Sequence, residues 1–351
     1  MISLLRTAAV AVLALGTSAA MAETKLTGAG ATFPNPLYQK WVSEYQKSNP
    51  DVKIDYQSIG SGGGIKGITE KTIDFAGSDA PMSKKEIAAA GGEVVHIPTV
   101  AGAVVPAYNL PEFKGDLKLD GPTLAAIFGG KVTKWNDPKI AALNEGTKLP
   151  DLGITPAWRT DGSGTTFVFT NYLATQSEEF KSSVGMGKQV KWPTGQGGKG
   201  NEGVTAAVQG TPGAIGYIEL NYATQNKIPF ALMKNKDGRF IKCSPESVAA
   251  AGAGAVEKMD KSLAVDIWNQ PGAEAYPIAA FTYIIVYKDL GYLKDEGKAK
   301  GLVSFLKWAT KDGQQFAAQM DYAPLAEPVQ KKAAAAIAGL TWSGSPVAAA
   351  K

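Results

Sequence analysis

Apolar positions along this chain follow two periods that take turns. Residues 25–27 and 52–56 alternate apolar with polar side chains, as strands with one buried face do, whereas residues 34–46 place Leu37, Trp41 and Tyr45 at the spacing of one helical face, with Pro34 suited to a first turn. The alternation continues, with a strand predicted over 74–77, a helix over 84–90 and a strand over 94–97. Further on, the pattern predicts strands over 103–108, 154–159 and 213–218, a helix over 122–128 and an amphipathic helix over 165–174. Residues 278–287 form the strongest β run, and helices are predicted over 300–308 and 328–340. Strand and helix alternating in this way imply an α/β fold built on a mixed or parallel sheet. Residues 185–203 are glycine-rich and, holding Trp192 and Pro193, read as an ordered loop; the tail from Ser343 reads as frayed.

A length of 351 residues is ample for about two domains with buried cores. Composition narrows the chemistry more sharply. With Cys243 the only cysteine and His96 the only histidine, a disulfide, a redox pair, a cysteine-based zinc site and a multi-histidine metal centre are all excluded by count. Arg6, then an apolar stretch from Ala8 to Leu15, then Ala20-Met21-Ala22 have the three parts of a secretory signal with cleavage after Ala22; no cysteine follows to carry a lipid. The formal charge of +4 falls to +3 once Arg6, the sole charge in residues 1–22, is removed. That mild balance points to neither nucleic acid nor an anionic membrane. A soluble exported protein of the periplasm is expected.

Three turns rich in Gly, Ser and Thr stand where a strand hands over to a helix: Gly28-Ala29-Gly30-Ala31-Thr32-Phe33-Pro34, Gly60-Ser61-Gly62-Gly63-Gly64 and Asp161-Gly162-Ser163-Gly164-Thr165-Thr166. Glycine admits close backbone approach, a helix N-terminus offers unpaired N–H groups, and Ser or Thr adds a hydroxyl donor. One such turn is an ordinary helix cap; three in one chain indicate an anion receptor. The third also carries Arg159 and Asp161 around Thr160, so that the guanidinium can fork onto an oxyanion while the carboxylate orients it. Asp79, beyond the strand over 74–77, is either another ligand or a cap. No GxxxxGK[ST] loop and no GxSxG elbow is present, and the GxGxxG matches at 62–67, 195–200 and 198–203 are too numerous to be specific. His96 and most of the seven tryptophans read as core.

The strings 27–34, Gly60-Ser61-Gly62-Gly63, Ser78-Asp79-Ala80-Pro81, Arg159 to Thr165 and Gly198-Lys199-Gly200-Asn201 closely resemble the periplasmic phosphate-binding proteins of bacterial phosphate ABC transporters, in order over nearly the whole chain past residue 22. The resemblance implies a two-lobed, type II-like binding protein, each lobe a mixed sheet flanked by helices, with a hinge of crossing strands. Lobe I would comprise 23–96 plus 278–351 and lobe II 97–277, with crossings near 97–101 and 275–279. Inorganic phosphate would be bound by Thr32, Phe33 (through its N–H) and Ser61 from one lobe, and by Arg159, Ser163, Gly164 and Thr165 from the other. Asp79 would accept the anion's proton and Asp161 would orient Arg159. Gly62 stands where related chains often have a second serine. No cofactor is implied; the partner would be an inner-membrane ABC permease, and a monomer is favoured because the hinge must move freely. Two other readings stay open: a receptor for sulfate, arsenate or molybdate, and a secreted phosphohydrolase, which lacks an evident nucleophile or metal site.

Overall fold

The computed structural model describes residues 23–259 and 262–347, so the predicted signal segment lies outside the described residues. Eight strands form one mixed sheet: β1 (Thr24–Gly30), β2 (Val52–Ser58), β3 (Phe75–Ser78), β4 (Val94–Tyr108), β5 (Thr155–Arg159), β6 (Gln196–Gly198), β7 (Ala214–Glu219) and β8 (Ala279–Tyr287), in the order β2-β1-β3-β8-β4-β7-β5-β6. The pairs β1/β2, β1/β3, β5/β7 and β5/β6 are parallel, whereas β8 runs antiparallel to both β3 and β4, and β4 antiparallel to β7. Each parallel group is crossed over by helices; the inner strands β3 and β7 are buried throughout, whereas the edge strand β2 buries only alternate residues.

The strand β4 joins the two halves. Its residues Val94 to Ala103 pair with β8, and Val104 to Tyr108 pair with β7. Two stretches predicted as separate strands are therefore one strand of 15 residues. Pro98 is tolerated inside it because the register with β8 shifts between Thr282 and Tyr283, the kind of irregularity that absorbs a missing donor. Nearly the whole of β4 and all of β8 are buried, since helices cover both faces.

The helices that position the site are α1 (Asn35–Ser48), α2 (Ser61–Thr69), α3 (Lys84–Ala90), α4 (Gly164–Gln176), α5 (Gly200–Gly210) and α6 (Leu220–Gln225). Three readings of the sequence change here. The glycine run after Ser61 is the first turn of α2, not a turn before it; Gly64 lies so close to the Gly30 backbone that a Cβ there would stand 2.7 Å from Gly30 Cα. Close approach outweighs the low helix propensity of glycine. The helix expected to be amphipathic, α4, is buried nearly all round, from Gly164 through Ala174, because it packs inside its half of the molecule. The segment read as a loop over 185–203 ends in the edge strand β6 and the start of α5. At the start of the tail expected to fray, Thr341–Trp342 and Ser345–Pro346 pair as a hairpin. His96 is buried as expected, accepting the Met82 N–H at 3.0 Å, and burial pushes its imidazole down to about 4.

Candidate functional site

Parallel strands end on a common edge, and the side chains singled out in the sequence gather there. Thr32 and Phe33 follow β1, Asp79 follows β3, Arg159 ends β5, and Ser61 and Gly164 open α2 and α4. This is where the carboxyl ends of α/β strands and the N-termini of the following helices leave a crevice. All of these residues are buried: Ser61, Ser163 and Thr165 at 0%, Asp79 at 3% and Arg159 at 4% exposure.

The hydroxyl groups share one property. A hydroxyl has two lone pairs and one hydrogen to give. Ser61 Oγ accepts from the N–H of Gly164 at 3.1 Å and of Asp79 at 3.3 Å. Thr32 Oγ1 accepts from Asn201 N at 3.1 Å and Asn201 Nδ2 at 2.7 Å, and Thr165 Oγ1 from Arg159 Nη1 and Asn201 Nδ2, both at 3.2 Å. Both lone pairs of all three are thus taken; Thr32 and Thr165 retain only a hydrogen to donate, and the Ser61 hydroxyl hydrogen has the Asp79 carboxyl beside it. Ser163 caps α4, its Oγ accepting the Thr166 N–H at 3.0 Å. In the same first turn the Thr165 N–H stands where no intrahelical acceptor exists. The set is a collection of donors waiting for an acceptor.

Arg159 is held by its neighbour Asp161. Its Nε and Nη2 fork onto Asp161 Oδ1 and Oδ2 at 2.8 and 2.5 Å, and Gly200 N–H adds a bond to Oδ1 at 3.0 Å. Burial alone would raise the Asp161 carboxyl; the guanidinium's hydrogen bonds and charge overcome it and hold the group below its ordinary range. Asp79 differs. Burial pushes its carboxyl up to about 7, opposed by the Thr282 hydroxyl, which donates to Oδ1 at 2.8 Å, and by the charge of Arg159. It is the acceptor amid the donors.

Two residues of the site were missed in the sequence. Asn201, in the first turn of α5, ties Thr32 to Thr165 and so joins the two halves of the sheet; Gly200 with φ +71 just before it is the local signal. Thr282 is the only aliphatic hydroxyl in β8, whose other residues are apolar or tyrosine. Gly62, by contrast, is where expected: its N–H donates to Gly162 O at 2.8 Å, and a Cβ would stand 3.0 Å from Gly162 Cα. A side chain there would hold the halves apart.

A PBP superfamily domain model matches residues 16–312. The phosphate-binding protein PstS of Pasteurella multocida is 47% identical over 308 residues, covering 88% of each chain. The chain belongs to the phosphate-binding protein family of this superfamily. The relationship extends to the PstS phosphate-binding protein of Methanocaldococcus jannaschii, 39% identical over 305 residues, 82% of this chain and 78% of that one. Among solved structures, the phosphate-binding protein of Stenotrophomonas maltophilia superposes with a TM-score of 0.70 at 21% identity, covering 89% of this chain and 93% of that one. PfluDING, a high affinity periplasmic phosphate-binding protein bound with phosphate, gives 0.69 at 19%, over 89% and 93%. At those identities the structures speak for the fold, the two-lobed α/β architecture of the family, with β4 as the strand common to both halves.

Proposed function

We propose that this protein binds inorganic phosphate between its lobes and delivers it to an inner-membrane ABC permease, as an exported periplasmic receptor and not a phosphohydrolase. The observation that carries the reading is the set of buried hydroxyls, Thr32, Ser61 and Thr165, whose lone pairs are all engaged, in one crevice with the buried acceptor Asp79. Phosphate oxygens accept those hydrogens, together with the Phe33, Gly164 and Thr165 N–H groups, the Ser163 hydroxyl and the Arg159 guanidinium; the anion's own proton goes to Asp79. Asp161 keeps Arg159 aimed. Sulfate carries no proton near neutral pH and leaves Asp79 facing an oxygen, an unpaired buried contact of the kind that discriminates by about 10⁴ or more. The lobes proposed are 23–96 with 278–351, and 97–277, crossing near 97–101 and 275–279; the change of partner along β4 after Ala103 supports a hinge beside the first crossing.

Calorimetric titration of protein unfolded and refolded to strip carried-over anion tests this. Tight one-to-one phosphate binding with sulfate silent is expected. Equal sulfate binding overturns the specificity argument, binding of neither overturns the receptor reading, and turnover of a chromogenic phosphate ester overturns the exclusion of hydrolysis.

A further inference from the structure

Behind the anion site lies a buried acid that the reading above does not use. Glu219, the last residue of β7, has no exposed surface and is the only fully buried glutamate among the described residues. Its Oε2 accepts the Asn221 N–H at 2.9 Å, capping α6, while Oε1 has no partner at hydrogen-bond geometry: the Tyr322 hydroxyl lies beside the carboxyl but gives its hydrogen to Phe33 O at 2.7 Å. Two residues on, Asn221 Oδ1 is also buried without a partner, its amide oriented by donation from Nδ2 to Met320 O at 3.0 Å. Two orphaned acceptors at the head of one helix are costly, because a buried oxygen without a donor forfeits its hydration. One proton resolves the conflict: a neutral Glu219 donates where an ionised one only accepts.

Glu219 also reaches the site through the backbone. Its N–H donates to Asn201 Oδ1 at 3.0 Å, which fixes the amide whose Nδ2 holds both Thr32 and Thr165. We propose that Glu219 is a positioning residue for the anion site and works as the neutral acid, its proton shared with Asn221 Oδ1 directly or through one water. The surroundings agree. The titratable groups facing it are Asp321 and Tyr322 from the segment before residue 323, Asp79 from the site, Cys243, and Tyr222 on α6, itself beside Glu202. Not one of these carries positive charge, and burial first, then Asp321 and Asp79, drive the Glu219 carboxyl well above its ordinary value. A charged Glu219 would repel the anion that Asn201 helps to receive, so its ionisation sets an alkaline limit to phosphate affinity.

This inference rests on the phosphate reading, and its test separates the two. Infrared spectra of the protein at about pH 8, with and without added phosphate and with glutamate selectively labelled with carbon-13, are expected to contain the label-shifted carbonyl band of a protonated acid; absence of that band in wild-type protein overturns the proposal, whether or not any variant folds. Glu219→Gln mimics the neutral acid and should bind phosphate within about threefold of wild type at neutral pH while losing the alkaline decline, whereas Glu219→Ala, which strips the cap, should bind about tenfold more weakly. A Gln variant as weak as the Ala variant, or one with an unchanged alkaline decline, overturns it. Failure of wild-type protein to bind phosphate counts against the receptor reading alone, because the labelled band is read independently of affinity.

Discussion

Gly164 is where one methyl group should separate closure from folding. It opens α4 and faces the other half of the molecule: a Cβ there would stand 2.5 Å from Ser61 Oγ and 2.7 Å from Asp79 Cβ, and would overlap Asp79 Oδ2. Ordinary van der Waals contact begins near 3.4 Å, so Gly164→Ala requires the halves to stay roughly 1 Å further apart, with no flexible side-chain end able to yield. That displacement breaks the bonds from Gly164 N–H to Ser61 and from Gly62 N–H to Gly162 O. At about 1 kcal/mol each they cost about 2 kcal/mol, or about 30-fold in affinity, before any anion contact is stretched. Locally the change favours the fold, since Ala is a better helix former than Gly by up to ~1 kcal/mol. The expected result is a phosphate affinity at least about 30-fold lower by calorimetry, with the melting temperature of phosphate-free protein unchanged or raised and the phosphate-induced rise reduced. An affinity within about threefold of wild type would mean that the two halves do not meet at Ser61 when the anion is bound.

Asp79→Asn removes an acceptor that hydrogen-bonds a charged ligand, worth about 1.5–3 kcal/mol, so phosphate binding should fall by about 10- to 100-fold while sulfate binding rises; an unchanged phosphate-to-sulfate ratio in paired titrations would sink the proton-reading role. Asp79 and His96 tilt the stability of phosphate-free protein in opposite directions. The Asp79 carboxyl is raised from 3.8 to about 7, so its contribution is full below about 4 and is lost as pH rises through 7; the His96 imidazole is lowered from 6.5 to about 4, so its contribution is full above 6.5 and is lost as pH falls through 4. Urea unfolding between about pH 4 and 7 should therefore show Asp79→Asn gaining stability with pH relative to wild type, by up to about 4 kcal/mol at roughly 1.4 kcal/mol per pKa unit, and parallel curves would refute the assignment. Lys188 Nζ meets Glu86 Oε1 at 2.5 Å across the mouth of the cleft, with side chains 21% and 28% exposed. Lys188→Ala should speed phosphate release by no more than about fivefold, and only at low salt; a salt-independent effect in stopped-flow traces would show that the pair does more than close the rim.

Most strands and helices are legible as periodicity because each has one period and one environment. The failures share a cause. Residues 94–108 carry Pro98, Gly102 and Pro106, each a strand breaker taken alone, yet they form one strand because β8 and β7 supply partners in succession and the register shift accommodates Pro98. Likewise the glycines after Ser61 look like a turn until Gly30 and Gly162 are brought against them, when the absence of side chains becomes the reason the helix can start there. At the site, Arg159, Asp161, Ser163, Gly164 and Thr165 are visible because Gly, Ser and Thr cluster beside charge in the sequence itself, whereas Thr32, Phe33 and Ser61 lie in glycine-rich turns without charge and their roles, like that of Asp79, are read through the family resemblance. Asn201, Thr282 and Glu219 are not visible, because a polar residue in a helix turn or a strand is unremarked until the fold shows which buried atom it serves.

The charge arrangement explains why so neutral a cleft suits so charged a ligand. Arg159 is the only cation among the proposed ligands, and its bidentate pairing with Asp161 leaves that pair with no net charge. Asp79, once ionised, adds Coulomb repulsion, and its attraction for phosphate lies only in the hydrogen bond it accepts from the anion's own proton. No surplus positive charge is left to hold any passing anion, so long-range Coulomb attraction, screened beyond about 8 Å at physiological salt, cannot be the source of selectivity. What remains are dipoles that act only at hydrogen-bond distance and only when water is excluded. Those donors come from both halves: Thr32 and Ser61 from one, Ser163 and Thr165 from the other, locked together through Asn201 and the Gly164 N–H. On the proposed reading, an anion that lacks a proton for Asp79, or whose oxygens fall outside the donor set, leaves donors or the acceptor unpaired in a water-excluded cleft whose halves are already tied to one another. Selectivity then lies in the geometry of neutral donors and one acceptor, which an anion of equal charge but different protonation does not satisfy.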